Sequence, residues 1–447
     1  MQTRLVRHWR PRARLALLLS VALCLTVASC LLAACGVNNG SAASPVAGAG
    51  SPSATPAGGP GAAPSAAPSA TPGGAAARDV TLTVGLFPWV PRLRQFETVI
   101  ATAWEKRHPG IALEFVLWDC YSSDPPRDLD VFVFDAVFRD YFQKRGYLQP
   151  LAENELERPA DVLPYALQAA RAGGALRGIP QLGCASLLFY RRGDGALEAA
   201  RDLGDVVAAL GEGTYAGLKP PPGKGLLVDL SDPTADACLY VEAVVDTYGV
   251  YSADPPLPPD AGKIDPWAVD NVRALLNMAS RRQARYVSDE QFRRAAWFGQ
   301  GSGRAFIGYS ESLALMGAAS RSEVAFKLMP MSQRANVPLF YVDLIGVNRA
   351  LGAGPERALA VELANLMASK DVLVEAMGPW RGAGSPQYLF PVRRSVFRAL
   401  EQRFPLYGKL YDLVERVSPR PYLLGAESRR WLTTMGGKIK RAIFATP

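Results

Sequence analysis

The chain has 447 residues, 49% of them hydrophobic and 20% charged, enough to bury a sizeable core. Of its formal net charge of +8, five charges are Arg4, Arg7, Arg10, Arg12 and Arg14, in a 34-residue start without acids, so the remainder carries +3. A body so close to neutral, with no Lys/Arg stripe interleaved with aromatics, makes no field for a polyanion and excludes nucleic acid as the expected partner.

The basic start runs into an apolar stretch, Leu15 to Leu32, and then into Ala33-Ala34-Cys35. A basic region, an apolar core and small residues before a cleavage point describe a secretory signal over residues 1–34. Its Leu32-Ala33-Ala34-Cys35 ending resembles a bacterial lipobox, which implies that Cys35 is lipidated and anchors the mature chain to a membrane. An uncleaved spanning helix is the competing reading, weakened by the missing stop-transfer flank. Residues 35–77 are nearly all Ala, Gly, Pro and Ser, with too little apolar side chain to offset the entropy of ordering them. They read as a flexible tether.

The folded body is expected from residue 78. Val80 to Val84 alternates with period two and predicts a strand, Arg92 to Lys106 a helix, and Ile111 to Trp118 a second strand. Asp130-Val131-Phe132-Val133-Phe134-Asp135 is an apolar run closed by an acid, the pattern of a strand covered on both faces. Asp135 then falls at a strand's carboxyl end, where open α/β sheets hold ligands. A helix with Phe138, Tyr141 and Phe142 follows, then a helical stretch over 162–171. A short strand at Gly178-Ile179-Pro180 and a new one from Cys184 to Tyr190 suit a crossing between two lobes. Helices are expected over Asp236–Tyr248 and Pro266–Arg281, and one opened by Ser288 with Gln291 at capping-box spacing. Arg304 to Tyr309 reads as a strand leading into Ser310-Glu311-Ser312, and Pro338 to Val347 as a strand returning to the first lobe. The tail is helical with a break at 378–386. The reading is therefore α/β, with lobe 1 over 78–185, lobe 2 over 186–337, and 338–447 returning to lobe 1 with C-terminal helices.

Few residue types are available for chemistry. The body holds one histidine, His108, at an expected exposed helix end, and no Cys-x-x-Cys, His-x-x-x-His, calcium-loop or phosphate-loop spacing. No metal and no cofactor are expected. An activated nucleophile must therefore rely on a carboxylate or a shifted pKa rather than on a histidine. Three cysteines remain in the body: Cys120, Cys184 and Cys238. An odd number in an oxidising compartment leaves at least one thiol free. Cys184 stands at the expected crossing, facing a cleft; a buried thiol packing as a small hydrophobe is the plainer alternative for any of the three.

Five segments carry a specific resemblance: Trp118 to Pro126, Asp128 to Asp135, Ile179 to Cys184 running into Leu187-Leu188-Phe189-Tyr190-Arg191, Trp297 to Ser312, and Pro338 to Asp343. In order and spacing they resemble thiamine pyridinylase (thiaminase type I), from Val80 to the C-terminus. The resemblance implies a two-lobed fold like the type II periplasmic solute-binding proteins, with a ligand cleft between the lobes. It implies an enzyme that cleaves thiamine by exchanging its thiazole for a small base, an aromatic or heterocyclic amine or a thiol. Cys184 matches the family's nucleophile and Glu311 its base. Asp135 and Asp343 match acids that hold the aminopyrimidine. Tyr121, Tyr309, Tyr341 and Trp89 match pocket aromatics. The scaffold further implies a monomer. The alternative is a thiamine- or pyrimidine-binding lipoprotein of an ABC importer, which would need the pocket but not the thiol. The chain departs from the family pattern at Phe87 and Trp89, where tyrosines are expected, in the small residues Gly183, Ala185 and Ser186 around the cysteine, and in its long tether.

Overall fold

A computed structural model describes residues 80–252, 262–288, 292–382 and 384–445. The leader, Cys35 and the 35–77 segment lie outside them.

The expected opening βα units form. Thr81–Leu86 (β1) buries Leu82 and Val84, and the helix Leu93–Arg107 (α1) buries Phe96, Val99, Ile100 and Trp104, a stripe at helical spacing. Ala112–Leu117 (β2) and Val131–Asp135 (β3) both pair parallel with β1. Every residue of β3 is buried, which explains an apolar run with no alternation. The helix Arg139–Arg145 (α2) follows β3 through one 3-10 turn, and Pro164–Ala170 (α3) lies further on.

Ile179–Cys184 (β4) belongs to the same sheet as β1, whereas Leu187–Arg191 (β5), only two residues on, belongs to another. The second sheet is completed by Pro222–Leu227 (β6), Gly303–Gly308 (β7) and Val324–Leu328 (β8), in the order β8-β5-β7-β6. Two helices of this lobe matter below. Pro233–Tyr248 (α4) is opened by Asp232, which accepts from the amides of Thr234 and Ala235, with Pro233 in the first turn. Pro266–Met278 (α5) packs against it.

Leu339–Val347 (β9) returns to the first sheet and lies antiparallel between β4 and β3. Two short pairings, Phe390–Pro391 on β4 and Arg420–Pro421 on β9, bring that sheet to seven strands among the described residues. The chain therefore passes between the sheets twice, at 184–187 and at 328–339. The last helix, Ser428–Phe444 (α6), packs along α4 and α5, helices between the two crossings, although it follows the returning strand.

Two expectations need correction. The helix placed at Ser288 begins at Arg293, after Phe292 in a left-handed conformation (φ 58°), and no side chain caps it; Gln291 lies outside the described residues. Burial of Trp297 and Phe298, not a capping box, anchors that turn. His108 is not a free helix end: its ring lies 4.3 Å from that of Trp104, and its Nε2 is 3.1 Å from Glu362.

Candidate active site

The strand registers assemble the site. Cys184, the last residue of β4, lies directly across from Tyr341 on β9. Side chains two apart on a strand share a face, so Tyr341 and Asp343 point the same way. Asp343 in turn lies across from Asp135 at the end of β3. One nucleophile candidate, one tyrosine and two acids thus line neighbouring strands at the edge where β4 leaves the sheet. Tyr309 and Glu311 reach the same place from the other lobe: Gly308, the end of β7, pairs with Leu187, three residues beyond Cys184. The 3-10 helix Ser310–Leu315 then carries Glu311 in its first turn.

Polar contacts hold these groups. The Tyr121 hydroxyl donates to Asp135 at 2.7 Å, while the other Asp135 oxygen accepts from the Val137 amide at 3.0 Å and caps the turn that follows β3. The rings of Tyr309 and Tyr341 meet edge-on at 6.3 Å, and Tyr341 stacks on Tyr422 at 4.4 Å. Gly183, next to the cysteine, has no room for a larger residue, because a Cβ there would stand 2.6 Å from the Tyr165 hydroxyl on α3. Phe87 lines a small apolar cavity with Leu93, Phe96, Leu182 and Asp343, and brings no hydroxyl to that acid.

The electrostatics are unusual. Burial raises Glu311 to about 7, partly offset by its own backbone and by Ser310, and raises Asp135 to about 6. Asp343 is pushed well up, by burial first and then by Asp135 and Glu311. Burial and then Glu311, Asp343, Asp135 and Glu242 push the half-buried Cys184 thiol up. None of the ion pairs among the described residues involves any of these carboxylates. Among the described residues, the cleft gathers acids that pair with no cation around a thiol whose pKa they and burial raise. Such perturbed groups cluster where chemistry is done.

These features fit a known pattern. The family model described as Thiaminase-1 domain matches residues 185–332. Thiaminase-1 of Paenibacillus thiaminolyticus is 41% identical over 376 residues, which cover 83% of this chain and 90% of the relative. The chain belongs to the thiaminase I family. Among solved structures, thiaminase I of Clostridium botulinum in complex with thiamin is 37% identical with a TM-score of 0.77, covering 81% of this chain and 98% of its own. Thiaminase I from Bacillus thiaminolyticus is 39% identical with the same TM-score, covering 82% and 100%. Similarity to the GacH receptor of Streptomyces glaucescens, at 15% identity and a TM-score of 0.59 over 81% of this chain and 93% of that one, extends the fold alone to solute-binding proteins. The fold is two-lobed α/β, periplasmic-binding-protein-like.

Not every expected residue of this thiaminase I family member joins the cluster. Trp89 is 51% exposed, and Cys35 lies outside the described residues. Cys120 and Cys238 are both buried and free. Three contributors were missed. Arg429 on α6 donates to the carbonyls of Cys120, Tyr121 and Ser123 and pairs with Asp124 at 3.0 Å, fixing the loop that presents Tyr121. Tyr422 packs on Tyr341, and Glu242 on α4 accepts from it at 2.9 Å. Glu242 left a trace: three acids, Asp236, Glu242 and Asp246, interrupt an otherwise apolar helix. Arg429, in a polar helix start, left none.

Proposed function

We propose that this protein is a secreted thiamine-cleaving base-exchange transferase in which Cys184 is the nucleophile and Glu311 its base. The observation that carries the reading is the pair itself, a thiol and a carboxylate from opposite lobes inside an acid cluster without a cation. Thiamine carries the positive charge of its thiazolium, so such a cleft suits it by charge alone.

The steps follow from the groups present. A thiol held up by burial and surrounding acids is a poor nucleophile until its proton leaves. Glu311, at about 7, is half ionised near neutrality, the optimum for a general base. It takes the thiol proton as the sulfur bonds to an electron-poor pyrimidine carbon. The bond between the methylene carbon and the thiazolium nitrogen then breaks, its electron pair passing to that nitrogen, and neutral thiazole departs. Asp135 and Asp343, facing the ring nitrogens and amino group, stabilise the charge that develops on addition. An amine or thiol acceptor bonds to the methylene carbon, the carbon–sulfur bond breaks, and the thiolate recovers its proton. Tyr121, Tyr309 and Tyr341 bound the ring pocket. No cofactor takes part. We assign Cys35 as a lipidated anchor, residues 35–77 as the tether, and a monomer as the working form.

Incubating the body from residue 78 with thiamine and aniline, followed by mass spectrometry, tests the reading. Free thiazole and a pyrimidinylmethyl-aniline, both lost in Cys184→Ser, are the expected products. Thiamine that binds tightly and is recovered intact would instead make the chain a binding protein.

A further inference from the structure

Helix α4 belongs to the second lobe, yet its acids reach both inter-lobe crossings. Glu242 Oε1 accepts from the Tyr341 hydroxyl at 2.9 Å and from the Ser186 hydroxyl at 3.0 Å. Tyr341 lies across from Cys184, and Ser186 is two residues beyond it. One oxygen therefore joins both sides of the nucleophile's crossing. One turn on, Asp246 accepts from the amides of Met331 and Val337, at 2.8 and 2.6 Å, on the second crossing. A small polar cavity lined by Ser186, Glu242, Asp246 and Asn336 lies between the two. Glu242 is 7% exposed and forms none of the ion pairs among the described residues.

We propose that Glu242 is a positioning residue for the thiamine reaction, acting as an uncharged hydrogen-bond acceptor that holds Tyr341 and the Cys184 crossing together. This rests on the function proposed above. Both hydroxyls donate to the same oxygen, which leaves Oε2 able to keep a proton; a neutral acid satisfies this geometry as well as a carboxylate does. The surroundings favour the neutral form. Burial raises Glu242 to about 8, with Asp246 adding to it from the same helix, against the hydrogen bonds from Tyr341 on β9 and from Ser186, which favour the charged form. Cys184, Cys238, Tyr309 and Tyr422 also feel its charge, which raises each of them, so a negative Glu242 works against ionisation of the nucleophile. Ionisation thus switches the site off as pH rises.

Two variants separate this from a merely structural role. Glu242→Gln keeps the acceptor and cannot ionise; Glu242→Leu leaves two buried hydroxyls without a partner. Expected are at least a third of the wild-type kcat at pH 7 for E242Q, and at least a tenfold loss of kcat for E242L with KM for thiamine within about threefold. From pH 7 to pH 9 the wild type should lose about fivefold in kcat, a tenfold fall in neutral Glu242 set against a twofold rise in ionised Glu311, and E242Q should lose none of that. Superimposable pH profiles, or E242L within twofold of wild type, would overturn the proposal. Infrared difference spectroscopy decides it independently of turnover. A protonated carboxyl band present in wild type at pH 7 and missing from E242Q supports it, and no such band refutes it. If the wild type proves unable to cleave thiamine, the proposed function fails and Glu242's part in that reaction with it, whereas the band still decides whether Glu242 is the uncharged acceptor between Tyr341 and Ser186.

Discussion

Two populations of carboxylates occupy this molecule, and they have been treated in opposite ways. On the surface, Asp194 receives a two-pronged Arg304 at 2.7 and 2.8 Å, Glu153 receives Arg171 at 2.7 and 2.9 Å, and Glu155 receives Arg357 at 2.6 and 3.0 Å. Each of these acids is held below its ordinary value, chiefly by its arginine. In the cleft, Asp135, Glu242 and Glu311 are buried and Asp343 half-buried, none in an ion pair among the described residues, and burial raises every one. The lesson is that the chain spends stability where it needs reactivity. A paired surface acid contributes a little to the fold, whereas an unpaired buried acid weakens it, and such a cost is characteristic of functional sites.

That contrast can be broken in order of effect. Cys184→Ser should lower thiamine cleavage by about a thousandfold or more, with the melting temperature nearly unchanged, since a hydroxyl is a far weaker nucleophile than a thiolate. Assay of thiazole release against calorimetry would show it. Glu311→Gln should lower kcat by roughly 10²- to 10⁴-fold, the usual worth of a general base, and remove the acid limb near pH 7 from the kcat/KM profile.

The same Glu311→Gln variant should be more stable than wild type, and the sign is fixed by the direction of the shift. A carboxyl whose folded pKa is raised binds more protons folded than unfolded between its unfolded value near 4.5 and about 7, so its contribution to stability falls as pH rises through that window. Denaturation at pH 8 and at pH 5 should give E311Q an advantage of up to about 3 kcal/mol at the higher pH and much less at the lower. Equal stability at both would mean that the carboxylate is not strained by the fold. The surface acids run the other way, with their stabilisation present above the unfolded value and lost as pH falls below it. Asp194→Ala, which removes an ion pair and a helix cap on Leu197, should cost only about 1 kcal/mol and leave cleavage at the wild-type rate.

Much of the site was legible because it is built from local signals. Asp135 closes an apolar run, and its place at the end of a fully buried strand follows from that run alone. Asp343 stands inside an apolar strand, where a carboxylate has no structural reason to be unless a ligand or partner uses it. Cys184 sits beside the Ile-Pro segment that marks a crossing, and Glu311 follows a strand by three residues. The capping spacing from Ser288 to Gln291 is short and common and runs outside the described residues, while the described helix begins at Arg293 and buries Trp297 and Phe298. Arg429 and Tyr422 were illegible: they act on residues 308 and 81 positions away, and no pattern in their own neighbourhood encodes that.

The sequence by itself determined the α/β class, the strands β1, β2, β3, β7 and β9 and the family resemblance, because hydrophobic periodicity and motif spacing are properties of adjacent residues; the strands Pro222–Leu227 and Val324–Leu328 left no such signal. Only the tertiary structure decided that Cys184 lies across from Tyr341, that Asp343 lies across from Asp135, and that α4 reaches across the lobes with Glu242. Strand register and helix docking bring together residues more than 50 positions apart. Their pairing is chosen by which arrangement buries the most apolar surface while leaving few polar groups unsatisfied.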